Sequence, residues 1–326
     1  MRNTMRSAVA LFAWLVTALP GAPALALNAK SYVSNTGSNA NACDTPATAC
    51  LTFPAAIVKT AAGGEISVVN TGNYGEFFIG KAINITNDGA GEASILATGA
   101  FAVIGIQTGV GEVVSLRGLV IDGQGVGGAG MQITQVSALH VQNCVIRNFE
   151  SPNSTGINFL PLNSSQLFVS DTIVFNNGAS SLSTGIRIVP QSPSGGTSVV
   201  LERLHVENNV SGIRVVSSNN TANGAHVVIR DSVISGNVLD GIHAVTLPGK
   251  AAAFIVVERT ASVNNGGTGI VADGPGATIL LDDNTVARNG VGINVVNGGQ
   301  LISYGNNKVN NNLGPDGVPT GSYSPI

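Results

Sequence analysis

One pattern recurs seven times and constrains this chain more than any other feature. Each copy is Gly, then Ile or Met, then a variable residue, then usually an aliphatic one. The copies begin at Gly130, Gly156, Gly185, Gly212, Gly241, Gly269 and Gly292, so the spacings are 26, 29, 27, 29, 28 and 23 residues. A fixed period in this range marks a solenoid, in which each repeat buries its apolar face only against its neighbours. Within a copy, as in Gly185-Ile186-Arg187-Ile188, side chains alternate with the period of a half-buried strand. Successive copies are therefore expected to stack as parallel strands, one per coil.

Further columns appear when the copies are aligned. One is aliphatic: Leu116, Val141, Val169, Leu201, Ile229, Val257 and Leu281, with Tyr304 closing it. Five residues on comes a second: Ile121, Ile146, Val174, Val206, Ile234, Val286 and Val309. The coil around Ser262 interrupts it, which predicts either a bulge displacing Val263 or a one-residue shift. A third column is Asn177, Asn209, Asn237, Asn265, Asn289 and Asn312. These residues suit turns, because Asn tolerates left-handed backbone and can hydrogen-bond its neighbours, including an Asn one coil away. Finally, charges alternate from coil to coil in Glu202, Arg230, Glu258 and in Arg203, Asp231, Arg259, Asp283. At a strand spacing of about 4.8 Å, opposite charges would meet and favour one register.

The ends read differently. Residues 1–26 have the form of a secretory leader: Arg2 and Arg6, an apolar run from Ala8 to Leu19, and Ala24-Leu25-Ala26 before a cut near Ala26. Its loss leaves 15 − 2 = 13 basic against 18 acidic residues. The mature chain is then expected to be exported, to the periplasm or beyond, with no transmembrane segment. Export favours a disulfide between Cys43 and Cys50, while Cys144 reads as a small buried residue. Residues 27–64 form an N-terminal cap, in which Pro54–Ala62 has helical spacing and stops at Gly63-Gly64. Such a helix would cover the open end of the first coil. Residues 65–312 are the solenoid, and 313–326 a Gly/Pro-rich tail. Only 10% of residues are charged and no basic patch stands out, so nucleic acid is not an expected partner.

These features together resemble the right-handed parallel β-helix of the pectin-lyase-like superfold. Tyr32-Val33-Ser34, Cys50 to Ile57, Ala62 to Val68 and Gly72 to Glu76 look like the cap and first coil of many bacterial β-helix proteins. The resemblance implies an all-β right-handed parallel β-helix with a short capping helix. It implies much less about activity, because superfolds host many. Members include pectate lyases, polygalacturonases, alginate epimerases, tailspikes and adhesins. The polygalacturonase pattern is incomplete here: Asp282-Asp283 is present, but Gly-His-Gly and Arg-Ile-Lys are not. Val120-Ile121-Asp122-Gly123 is only loosely similar to the calcium-dependent pectate lyases, and their Arg-x-Pro-x-x-Arg is missing. No cluster of carboxylates suggests calcium, so neither a metal nor another cofactor is expected.

One line of residues remains as a candidate site. The variable position of the repeat reads Gln132, Asn158, Arg187, Arg214, His243, Val271 and Asn294. Arg187, Arg214 and His243 would share three consecutive coils and face outward. Arginine grips carboxylates, and histidine can act as a base near neutral pH. Two readings follow. One is a non-catalytic exported β-helix that binds an acidic glycan along Asn158, Arg187, Arg214, His243 and Asn294, or serves the envelope. The alternative is a lyase or C5 epimerase on a uronate polysaccharide, with Arg187, Arg214 and His243 as catalytic candidates. The missing catalytic set favours the first. Long loops walling this face would favour the second, and Pro190–Gly196 and Asn219–Gly224 are the segments long enough to do so. The oligomeric state is left open.

Overall fold

The computed structural model describes residues 27–99 and 101–324, so the expected leader 1–26 lies outside the described residues. Three sheets of twelve, ten and nine strands form the faces of a parallel β-helix. One coil shows how the chain winds. Thr197–Glu202 lies in the twelve-stranded sheet, His205–Glu207 in the ten-stranded sheet, and Ser211–Ser217, which carries a Gly-Ile copy, in the nine-stranded sheet. The chain then returns through a loop to Ala225–Arg230, one coil further along, in parallel register with 197–202.

The aliphatic columns hold this stack together. Leu201 pairs with Ile229, and Ile229 with Val257, all fully buried. Each such side chain contributes about 1.5–3 kcal/mol when removed from water. Two details differ from the sequence reading. Ser262, not a displaced Val263, continues the second column between Ile234 and Val286. It is fully buried and donates its hydroxyl to the Gly269 carbonyl at 2.7 Å, which removes the cost of burying it. In the last coil Ser303, not Tyr304, pairs with Leu281. Its hydroxyl accepts from the Gly305 amide and the Asn307 side chain, and Tyr304 is only half-buried.

The glycine of the repeat is required by close approach. A Cβ on Gly212 would lie 2.4 Å from the Gly241 carbonyl and 2.7 Å from an Ile234 methyl. Gly156, Gly241 and Gly269 face the same crowding from the next coil. The Asn column beside it is a continuous buried ladder. Asn177 donates to Asn209 at 2.9 Å, Asn209 to Asn237 at 3.2 Å, Asn237 to Asn265 at 2.8 Å, Asn265 to Asn289 at 2.9 Å and Asn289 to Asn312 at 3.0 Å. The ladder residues do not themselves take left-handed backbone. That geometry falls one position earlier, on Asn176, Asn208, Gly236, Asn264, Arg288 and Asn311. The ladder asparagines instead satisfy the buried amides of this corner.

The other tight corner carries the alternating charges. Arg203 reaches back to Asp171 with both branches of its guanidinium, at 2.6 and 2.9 Å, and Arg259 does the same to Asp231 at 2.7 and 3.1 Å. Arg230 pairs with Glu202 at 2.8 Å. These exposed pairs are screened by water and add little to stability, so their main effect is on register.

At the N-terminal end the helix spans Phe53–Lys59, starting one residue before its sequence pattern and ending three residues before that pattern does. Thr60 leaves it because its backbone joins the strand Thr60–Val68, which pairs with Asn28–Val33. Phe53 packs on Tyr74 and Phe77 with ring centroids 5.2 and 5.1 Å apart, closing the first coil. At the other end Gly321–Ser322 adds to the twelve-stranded sheet beside Ile302-Ser303, so part of the tail acts as a cap. No helix among the described residues is long and apolar enough to cross a membrane.

Cys43 and Cys50 are disulfide-bonded and buried. Cys144 is free and buried at the corner between Ala138–Gln142 and Val145–Arg147, and burial pushes its thiol up to about 11. Thiolate is the reactive form, so native protein is expected to resist alkylation at neutral pH. Denatured, unreduced protein should expose one thiol per chain. Three thiols in that sample would contradict the pairing.

Candidate functional site

The variable positions of the repeat do form one line on the nine-stranded sheet. Gln132 pairs with Asn158, Asn158 with Arg187, Arg187 with Arg214, Arg214 with His243, His243 with Val271 and Val271 with Asn294. What surrounds each residue then divides the line.

Arg187 and Arg214 line a recess of about 360 Å³ together with Asn158, Thr155, Leu182 and Asn153. A second recess of about 610 Å³ shares Asn153, Asn158 and Arg187 with it and extends toward Gln132 and Phe101. Arg187 Nη1 donates to Asn158 Oδ1 at 3.3 Å, and Asn158 Nδ2 donates to Gln132 Oε1 at 2.7 Å. Among the described residues neither Arg187 nor Arg214 reaches a carboxylate, and Arg214 Nε is buried without a partner. Arg117, Arg147, Arg203, Arg230 and Arg259 each do. Burial, and then the neighbouring Arg214 charge, push the Arg187 guanidinium below the usual arginine value. Two cations of like sign therefore sit one coil apart without an internal counterion.

His243 has a different setting. Its Nδ1 lies 3.0 Å from Asp240 Oδ2, and its Nε2 lies 3.7 Å from Asp273 Oδ2, too far for a hydrogen bond. Burial pushes the Asp240 carboxyl up, but the hydrogen bonds from His243 and the Thr268 amide outweigh it and hold Asp240 below its ordinary value. Nδ1 therefore faces the Asp240 carboxylate. Nε2 is buried and without a hydrogen-bond partner, and His243 does not line either recess. In this arrangement its Nε2 is not presented to a molecule held in the recesses. Asn294 lies two coils beyond His243, exposed, with its side-chain oxygen accepting from the Val295 amide.

The walls are not the loops that length alone nominates. Pro190–Gly196 and Asn219–Gly224 stack on each other, with Asn219 donating to Gln191, Asn220 to Gly195 and Thr221 to Pro193. None of their residues lines the recesses around Arg187. Ser151-Pro152-Asn153 and Leu182, on the opposite side of the sheet, do. Among the described residues no three His, Cys, Asp or Glu side chains gather in a way that could hold a metal ion.

No curated protein matches the chain in sequence. Among solved structures the chain is similar to the crystal structure of pectate lyase Pel9A, with a TM-score of 0.65 and 16% identity over 86% of this chain and 75% of that one. At that identity the likeness is one of fold. A family model described as a right-handed β-helix region matches residues 82–250, more than half of the chain. With its strands, corners and repeat glycines placed as above, the chain belongs to the right-handed β-helix family.

Proposed function

We propose that this protein is a non-catalytic binding module for an acidic glycan, exported from the cell that makes it, with Arg187 and Arg214 as the anion-gripping pair. The observation that carries this reading is the pair itself. Five other arginines of the coils reach carboxylates and Arg288 donates to Asn264, whereas these two share a recess and have no acidic partner among the described residues. Unpaired, partly buried like charges cost stability, and an anionic ligand would offset that cost. Planar guanidiniums suit carboxylates because they donate two parallel hydrogen bonds. Asn158 adds an uncharged donor and acceptor beside them. The disulfide supports export, since such bonds persist in oxidising compartments.

A second reading is a lyase or C5 epimerase on the same glycan, with His243 as base. The fold shared with a pectate lyase supports it, as does the position of His243 in line with the arginines. That chemistry requires the imidazole to leave Asp240 and turn Nε2 toward the recess.

Wild-type protein titrated with polygalacturonate, alginate and a neutral glucan separates these readings. Binding to the acidic polymers alone is expected, weakening as salt rises because the charges are screened. No ultraviolet-absorbing unsaturated product should accumulate. Binding with such a product would favour the enzyme, and binding to none of the three would end the glycan reading.

A further inference from the structure

Exposed aromatic rings are scarce on this molecule. Among the described residues three large aromatic side chains are mostly exposed: Phe101 at 72%, Phe78 at 58% and Tyr323 at 55%. Tyr323 belongs to the tail, but the other two lie on the face that carries the arginines. Phe78 heads the same outward line, pairing with Gly105, which pairs with Gln132 and so on to Arg187. Four coil steps of about 4.8 Å place it roughly 19 Å from Arg187 along the axis. Phe101 lines the larger recess whose far end is Arg187.

Both rings rest against a glycine. A Cβ on Gly105 would meet the Phe78 ring at 2.9 Å, and one on Gly128 would meet the Phe101 ring at 3.3 Å. Each ring is thus supported by bare backbone and keeps much of its surface in water. A flat aromatic ring exposed at a polar cleft offers an apolar face on which a ligand can stack.

Accepting an acidic glycan at the arginines, we propose that the cleft has a second half. It takes a neutral sugar ring of the same chain, stacked on Phe101, with Phe78 extending the platform. The chemistry favours a mixed glycan over a uniformly charged one. The face of an aromatic ring is electron-rich, so it attracts the C–H face of a sugar and disfavours a carboxylate. A polymer with an acid on every residue would set a carboxylate near Phe101 while another met Arg187. A chain in which acidic and neutral residues alternate would satisfy both ends. Between them Gln132 and Asn158, already hydrogen-bonded to each other, form a polar floor suited to hydroxyl groups.

Calorimetry with the full chain tests this, using two probes of equal length. One is an oligogalacturonate, and the other alternates a uronate with a neutral hexose. The mixed probe is expected to bind on the order of tenfold tighter, the size of one good aromatic contact. That advantage should persist at high salt and vanish in Phe101→Ala, with the oligogalacturonate affinity unchanged. Phe78→Ala should reduce it in part. Both side chains are exposed, so both variants should melt as wild type does. Wild-type affinity for the mixed probe in both variants would overturn the platform while leaving the arginine site intact. So would an oligogalacturonate that binds wild type at least as tightly as the mixed probe. If wild type binds neither probe, the arginine site falls and the platform with it.

Discussion

Ile229→Asp is expected to abolish the cooperative unfolding transition of the wild-type protein. Ile229 is fully buried between Leu201 of one coil and Val257 of the next, at the centre of the stack. Removing the aliphatic side chain alone should cost about 2–5 kcal/mol. The carboxylate then has no cation within the column and must either stay charged in apolar surroundings or take up a proton, both unfavourable. The sum is a large part of the roughly 5–15 kcal/mol that typically separates folded from unfolded chains. A solenoid spreads the damage, because each coil is held only by its neighbours. Ile229→Val is the control, with an expected cost of about 0.5–1.5 kcal/mol and an intact transition. Thermal unfolding followed by circular dichroism reads both. An Ile229→Asp protein that melts like wild type would mean that the side chain faces water and that the register is wrong.

The stacking of the chain was legible in sequence because it depends on what repeats. Period-2 alternation inside each copy located the nine-stranded sheet, and the spacing of copies located the coil. The misplacements occurred where a residue type can occupy a slot for a reason other than apolarity. Ser262 and Ser303 sit in aliphatic columns because local carbonyls, amides and side chains satisfy their hydroxyls. Hydropathy alone cannot see those partners. The helix ended early because Thr60 pairs with Asn28, a contact made over thirty residues of chain and invisible to local periodicity. The left-handed corners fell on the residues before the ladder asparagines, since Asn is equally suited to either role.

The candidate site was half legible. Alignment of the repeats put Arg187, Arg214 and His243 in line, as the strand register has them. Sequence could not show that Asp240 and Asp273 would flank the imidazole, because those acids come from a corner and from the end of the next strand. Nor could it show which loops build the walls. Ser151-Pro152-Asn153 is short and looks like any turn, whereas the longer loops bond to one another. Phe101 reads from sequence as the first residue of a strand, whereas the strand begins at Ala102 and leaves Phe101 exposed against Gly128 of the next coil.

The second large effect concerns binding. In Arg187→Gln with Arg214→Gln, the positive charges are lost while most of each apolar stem remains. Hydrogen bonds to charged groups contribute about 1.5–3 kcal/mol each, so losing the pair should weaken an acidic glycan by at least about a hundredfold. The melting temperature should hold or rise, because the substitution relieves repulsion between neighbouring cations rather than breaking an internal ion pair. A stabilised protein that no longer binds is the signature of residues kept for a ligand. The measurement is a calorimetric titration of acidic oligosaccharide into wild type and the double variant at low and high salt. The expected result is affinity in wild type that falls with salt, and a double variant at least about a hundredfold weaker with little salt dependence. Equal affinity and equal salt dependence in the two proteins would contradict the account.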